Sequence, residues 1–456
     1  MTPERVRTRT AGPESLTPAP HGSGDTVDSA TSLRRVLGLV EVTAGGVGII
    51  IGAGIYVLLA EATAQAGSLV WAAFLGAAAL SALTGLSYAE LSSMFPSAAG
   101  EYEYTRHAMP EWLAFIVGWT MIVGLVVAAA TVSIGFARYA NYFIHIDLRA
   151  GSAALLVVAS LVAMAGIKQS ARLTVGLSAV QVTGLVFVAA IGVPHVGDVD
   201  LFASPGLGGV LAGAALVFFA FIGFDEVITL AEETRNPSRT VPRALLLALG
   251  LSTALYVAVA IAAVSVLGAG PLAASPRPLA DVMAHVLGDR GATVVAAIAI
   301  LTTTNTTLLA LTAASRVMYG MAKRGAMPPS LAVVHPSHRT PIRAIVVVTV
   351  IAVAFAGVGE FAIIAAVTDF AVYVVFVAVN ATVIILRRRH PELRRPFAVG
   401  GAIRGIPVLP VLGLGSVVLM MTQLEPLAIA VGSAACAVGG AVGWLLRSQN
   451  AQRTTA

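Results

Sequence analysis

Charge and cysteine are both scarce in this chain. Charged residues make up 11% of its 456 positions and Cys436 is the single cysteine, while 57% of residues are hydrophobic and the mean hydropathy is +0.88. One cysteine excludes an intramolecular disulfide and leaves the redox compartment open, and Cys436 reads as a small packing residue. So little charge does not suit a water-soluble protein of this length, and no stretch between the apolar runs is long enough to fold alone. Lysine is nearly missing, with Lys168 and Lys323 against 26 arginines. Also missing are a Gly-rich Walker loop, a His-Glu-x-x-His pair and a Gly-x-Ser-x-Gly elbow, and the histidines fall mostly in loops. These absences argue against a membrane-embedded enzyme.

What remains is an all-α integral membrane chain. Apolar runs fall at 37–60, 66–93, 112–140, 151–167, 172–193, 208–232, 243–269, 291–321, 342–358, 361–386, 405–423 and 427–446, which predicts twelve transmembrane helices. Threaded alternately, they place 23 of the 28 basic residues on the side of the N-terminus. Arg138, Arg149, Arg277 and Arg290 fall on the other side, and Arg316 lies within a run. By the positive-inside rule both termini belong in the cytoplasm, and the net charge of +5 reflects topology, not nucleic-acid binding. Arg387, Arg388, Arg389, Arg394 and Arg395 read as an anchor facing anionic lipid headgroups. Residues 1–32 are rich in Thr, Pro, Ser and Gly and read as a disordered cytoplasmic tail, not as a secretory signal. Residues 33–400 read as a ten-helix core, 401–447 as two appended helices, and 448–456 as a second cytoplasmic tail.

Two runs are interrupted. In the first, Gly48, Gly52 and Gly54 fall within seven positions, which lets a helix break. A second half-helix would then offer free N–H groups and a positive dipole end to a carboxylate, and the first half would offer free carbonyls to an ammonium. Close helix packing through small residues is the competing reading. In the sixth run, Phe221-Ile222-Gly223-Phe224-Asp225-Glu226 sets two acids side by side in an apolar helix. A bare carboxylate in lipid costs several kcal/mol, so at least one must be paired, protonated or facing water. Adjacent helical positions point about 100° apart, so the two acids cannot face one cavity. Phe219 and Phe224 read as apolar gates over a solute or as ordinary packing. The interrupted runs lie five apart, the spacing of two five-helix halves related by inverted topology, with two helices appended.

Four motifs resemble the amino acid–polyamine–organocation (APC) transporter superfamily, and its bacterial cationic-amino-acid-transporter-like permeases in particular. They are Ile51 to Tyr56; Tyr88-Ala89-Glu90-Leu91 with Pro96 to Tyr102; Phe221 to Asp225; and Ala231 to Pro237 with Val241-Pro242-Arg243. Arg324 to Pro328 and Thr340-Pro341 fit as well, so the resemblance spans roughly residues 36–400. It implies a five-plus-five inverted repeat with discontinuous helices 1 and 6, and a substrate site between helices 1, 3, 6, 8 and 10. By position, Ala53 and Gly54 would present N–H groups to a substrate carboxylate. Ile50, Phe219 and Ile222 would offer carbonyls to its ammonium, with Phe219 also a lid. Asp225 joins them as a substrate-facing acid.

Departures from the family pattern narrow the reading. Relatives carry a coupling lysine in helix 5; thirteen residues after Lys168 this chain has Gln181, which is neutral and cannot relay a proton by titration. Relatives that favour cationic substrates carry an acid six positions after the Gly-Trp pair, where Gly118-Trp119 here leads to Gly124. Ala99 replaces a second family glycine. Glu226, Asp369 and Tyr373 remain candidates for coupling or gating. Thr302 to Thr307 make a polar stripe that either contacts substrate or bonds between helices. Thr312 and Ser315 are oxygen donors for a sodium ion between helices 1 and 8.

The combined reading is a secondary active transporter of amino acids, neutral ones favoured, working by alternating access in the inner (cytoplasmic) membrane. Polyamines, organic cations and cationic amino acids are alternative substrates, exchange of one solute for another without an ion is an alternative to symport, and a membrane amino-acid sensor is the alternative outside transport. Expected partners are the amino acid, membrane lipid, and a coupling proton or sodium ion; no cofactor is expected.

Overall fold

The computed structural model describes residues 37–95, 100–165, 167–203, 206–225, 227, 234–338, 340–358, 361–403 and 405–454. The expected N-terminal tail, Ala99, Glu226 and the acids Glu232 and Glu233 lie outside the described residues. The chain from Arg35 onward forms one compact unit, and it is helical nearly throughout. In order come α1 (Leu39–Ile50), α2 (Gly54–Ala66), α3 (Val70–Met94), α4 (Gly100–Arg106), α5 (Glu111–Ala140), α6 (Leu148–Ala165), α7 (Ile167–Gly192) and α8 (Leu207–Val217). After them follow α9 (Pro237–Leu267), α10 (Ala269–Ala273), α11 (Pro278–Lys323), α12 (Ile342–Val358) and α13 (Phe361–Arg389). A two-residue hairpin, β1 (Ala402–Ile403) with β2 (Ile406–Pro407), precedes α14 (Val408–Met421) and α15 (Pro426–Thr454).

Where described, the apolar runs lie on helices. Eight helical stretches are long and apolar enough to cross a membrane, and α1, the α8 segment, α12 and α14 are shorter apolar helices. Backbone punctuation divides two of the long stretches. Gly67, at φ 61°, ends α2 before α3 begins, and Gly288, at φ 67°, kinks α11. Both values lie where an L side chain is strained, which is why glycine marks the corners. Asn236 takes a left-handed conformation just before Pro237, and the two together start α9.

The centre belongs to α5 and α13. In each, 78% of the apolar window is buried, against 17% for α15, so the first two are enclosed by protein and α15 lies at the rim. Glycines seat α15: Gly432 faces Phe370, Gly439 faces Trp119 and Gly443 faces Phe115. The Trp119 indole donates to the Ala435 carbonyl at 3.0 Å. At the other end of the chain, Leu37 forms a parallel bridge with Thr234, and the Arg235 N–H donates to the Leu37 carbonyl at 2.8 Å.

Candidate functional site

Both predicted breaks are present, and they meet. α1 ends at Ile50, the chain leaves helical geometry at Ile51 (ψ 62°), and α2 starts at Gly54. α8 tightens into a 3-10 turn over Phe218–Phe221, Ile222 is extended, and Gly223 takes φ 113°. A Cβ on Gly54 would lie 2.5 Å from the Ala220 Cα, so only glycine permits this approach of the two backbones. The Tyr256 hydroxyl of α9 reaches both ends, 2.7 Å from the Ile50 carbonyl and 2.9 Å from the Ala220 carbonyl. Sequence reasoning passed over Tyr256. Its signal was a lone tyrosine in an apolar run, whose hydroxyl must find a partner once buried.

The residues around the breaks have partners of their own. The Ala53 N–H donates to Thr306 Oγ1 of α11 at 3.1 Å, which brings the polar stripe of that helix against the first break. The Phe219 carbonyl accepts from the Ile222 N–H at 3.2 Å. Ile50, Ala53 and Phe219 are buried, and Ile222 is partly exposed. Gly124 lies against α13, where a Cβ would come 3.3 Å from that of Ala371.

Farther out, the other expected residues fall in separate places. Gln181 is buried on α7; its carbonyl lies 3.4 Å from the Tyr56 hydroxyl, and neither of its amide atoms has a hydrogen-bond partner among the described residues. Tyr373 donates to the Ala215 carbonyl at 3.0 Å and packs its ring 4.8 Å from that of Phe218, so α13 braces the turn leading into the second break. Asp369, one turn earlier, is fully buried with both carboxyl oxygens unpartnered among the described residues. Thr312 and Ser315 donate to carbonyls of their own helix, at 2.7 and 2.8 Å. Asp225 accepts the Gly223 N–H at 3.0 Å, which caps the turn of the second break. It lies on the side of an aromatic cluster in which Tyr88, Phe224 and Phe376 place their rings 5.3–5.7 Å apart.

Ion pairs close the structure on either side of the breaks. Arg138 of α5 binds Glu61 of α2 at 2.8 Å and lays its guanidinium 4.4 Å from the ring centre of Phe361 on α13. On the opposite side, Arg387 of α13 holds the buried Glu90 of α3 in a two-armed ion pair, and the Val399 N–H donates to the same carboxylate at 2.8 Å. Arg324 holds Glu103 of α4 at 2.9 Å.

Residues 37–438 match the Amino acid permease family. The chain belongs to that family. It is 33% identical over 408 residues to the branched-chain amino acid permease BcaP of Bacillus subtilis, covering 84% of this chain and 86% of that one. It is also similar to the methylthioribose transporter of the same organism, 29% identical over 415 residues, covering 86% of this chain and 89% of the other. Human cationic amino acid transporter 4 is 31% identical over 340 residues, or 68% of this chain and 53% of that protein. These relatives of the permease bear transporter names, not enzyme names, and the APC resemblance read from the motifs is correct.

Proposed function

We propose that this permease is a secondary active transporter that carries amino acids across the cytoplasmic membrane by alternating access, neutral amino acids favoured. The observation that carries the reading is the contact of two helix breaks across Gly54 and Ala220 in a protein of this family. The start of α2 presents backbone N–H groups and a positive dipole end, which suit a substrate carboxylate. Thr306 holds the Ala53 N–H, and a bound carboxylate takes that bond over, with Gly54 beside it. The Ile50 and Ala220 carbonyls share the single proton of the Tyr256 hydroxyl, a deficit that a substrate ammonium with three donors makes up, helped by the Phe219 and Ile222 carbonyls.

Gly124 carries no acid and packs closely on α13, where even a Cβ would come 3.3 Å from that of Ala371, which supports a neutral substrate side chain. In this reading all twelve apolar runs cross the membrane, the first ten as an inverted five-plus-five repeat, with both termini cytoplasmic. Cationic substrates are a second reading, favoured by the unpartnered Asp369. Uptake of labelled L-leucine and L-arginine into proteoliposomes, empty or preloaded with the same solute, tests both. Leucine uptake supports the first reading, arginine uptake alone supports the second, and movement of neither overturns the proposal.

A further inference from the structure

Glu101, on α4, is a buried acid that forms no ion pair among the described residues. It is 6% exposed and accepts a hydrogen bond from the Tyr88 hydroxyl at 2.9 Å. Burial, and after it the charge of Asp225, raise its carboxyl from the ordinary carboxylate range to about 7. Asp225 itself is 2% exposed.

Several charges around it are already paired. On α4, Glu103 is held by Arg324, which follows α11, and Arg106 lies 3.7 Å from the same carboxylate. From α3 come Tyr88 and Glu90, the latter held by Arg387 of α13. Glu111 opens α5, and Tyr102 and Tyr104 complete α4. The stretches nearest in sequence, 96–99 and 226–233, hold no arginine or lysine and three further glutamates. Two buried carboxylates near one another in an apolar setting do not both ionise cheaply, which favours a proton on Glu101.

We infer that Glu101, hydrogen-bonded to the Tyr88 hydroxyl whose ring packs on Phe224 next to Asp225, is the proton-binding site that links transport to the proton gradient. This rests on the permease reading above. Asp225 caps the Gly223 turn, so the charge state of the pair acts directly on the second break. With the proton on Glu101, α4 stays packed against the broken segment. Release of that proton to the cytoplasm leaves a second negative charge near Asp225 in the same apolar surroundings, which drives α4 away and opens the path inward. The step is a carboxylic acid giving up one proton and needs no other reactant. It also places coupling where Gln181 cannot supply it.

Two measurements test this. The first needs no solute: pH-difference infrared spectra of the lipid-reconstituted protein, followed at the C=O stretch of protonated carboxyls. The expected result is a band that titrates near neutral pH and is missing from Glu101→Gln and Glu101→Ala. In Tyr88→Phe, which loses a donor to the ionised form, the midpoint should move up by about one pH unit. A neutral-pH band that survives unchanged in both Glu101 variants overturns the site. The second is labelled L-leucine uptake under an imposed pH gradient. Glu101→Gln, fixed in the neutral form, should keep the inward path shut, so that folded protein loses gradient-driven accumulation and leucine–leucine exchange together; retained gradient-driven accumulation overturns the coupling role. A titrating Glu101 band in a protein that moves no amino acid would uphold the proton site and sink the permease reading. Leucine transport with no titrating band would do the reverse.

Discussion

At the scale of single residues, the candidate site depends on missing atoms as much as on present ones. Gly54→Ala adds one methyl where the nearest atom is backbone, 2.5 Å away, so the breaks must separate to admit it. We expect that variant to lose leucine uptake while still eluting as folded protein. Gly250→Ala on α9, where a Cβ meets nothing within 4 Å, should leave uptake intact. Glu101 sets a pH dependence of stability as well. Its carboxyl lies at about 7 in the fold against an ordinary 4.5, so the folded state holds the proton more tightly. The resulting stabilisation is complete below the ordinary value and is lost as pH rises through about 7. Thermal unfolding in detergent should therefore show Tm falling from about pH 5 to about pH 8, and Glu101→Gln should flatten that slope.

At the scale of elements, the ion pair between α3 and α13 is the clearest case for a stability prediction. Glu90 is 1% exposed and is shared by two cations, Arg387 and, at 3.4 Å, Arg395, with the Val399 N–H as a further donor. Arg387→Ala with Arg395→Ala strips the buried carboxylate of both cations and should cost about 3–5 kcal/mol, read as a lowered denaturation midpoint, whereas Arg387→Ala alone should cost less. Element by element, the sequence was legible wherever one signal sufficed. A glycine cluster located the first break, and Gly223 with the two acids after it located the second, because backbone freedom and a carboxylate in an apolar run are local properties. The segment 270–290 read as a connection, yet it holds α10 and the start of α11. There Leu279, Val282 and Met283 are buried while His285 is exposed, a helical period that averages out in a hydropathy window. The partners of Tyr256 and of Glu101 were not legible, because they lie 36 to 206 and 13 residues away along the chain respectively, and nothing local encodes such pairings.

At the scale of the whole molecule, charge asymmetry makes the orientation testable. In a Cys436→Ala background, a membrane-impermeant maleimide added to intact cells should label Arg149→Cys and spare Arg389→Cys; the opposite pattern would invert the topology. The tethers on α1 have a mechanical consequence. Near its start, the Leu37 carbonyl is bound by the Arg235 N–H, beyond the second break; at its end, Ile50 is joined through Tyr256 to Ala220, just before that break. A rod fixed to one body at two points has no free hinge against it. α1 and the second broken segment therefore move as a single lever. The sliding surface must lie elsewhere, as where Gly48 packs against Ser178 of α7. A covalent link between positions 37 and 234 should then leave turnover untouched, and one between 48 and 178 should arrest it.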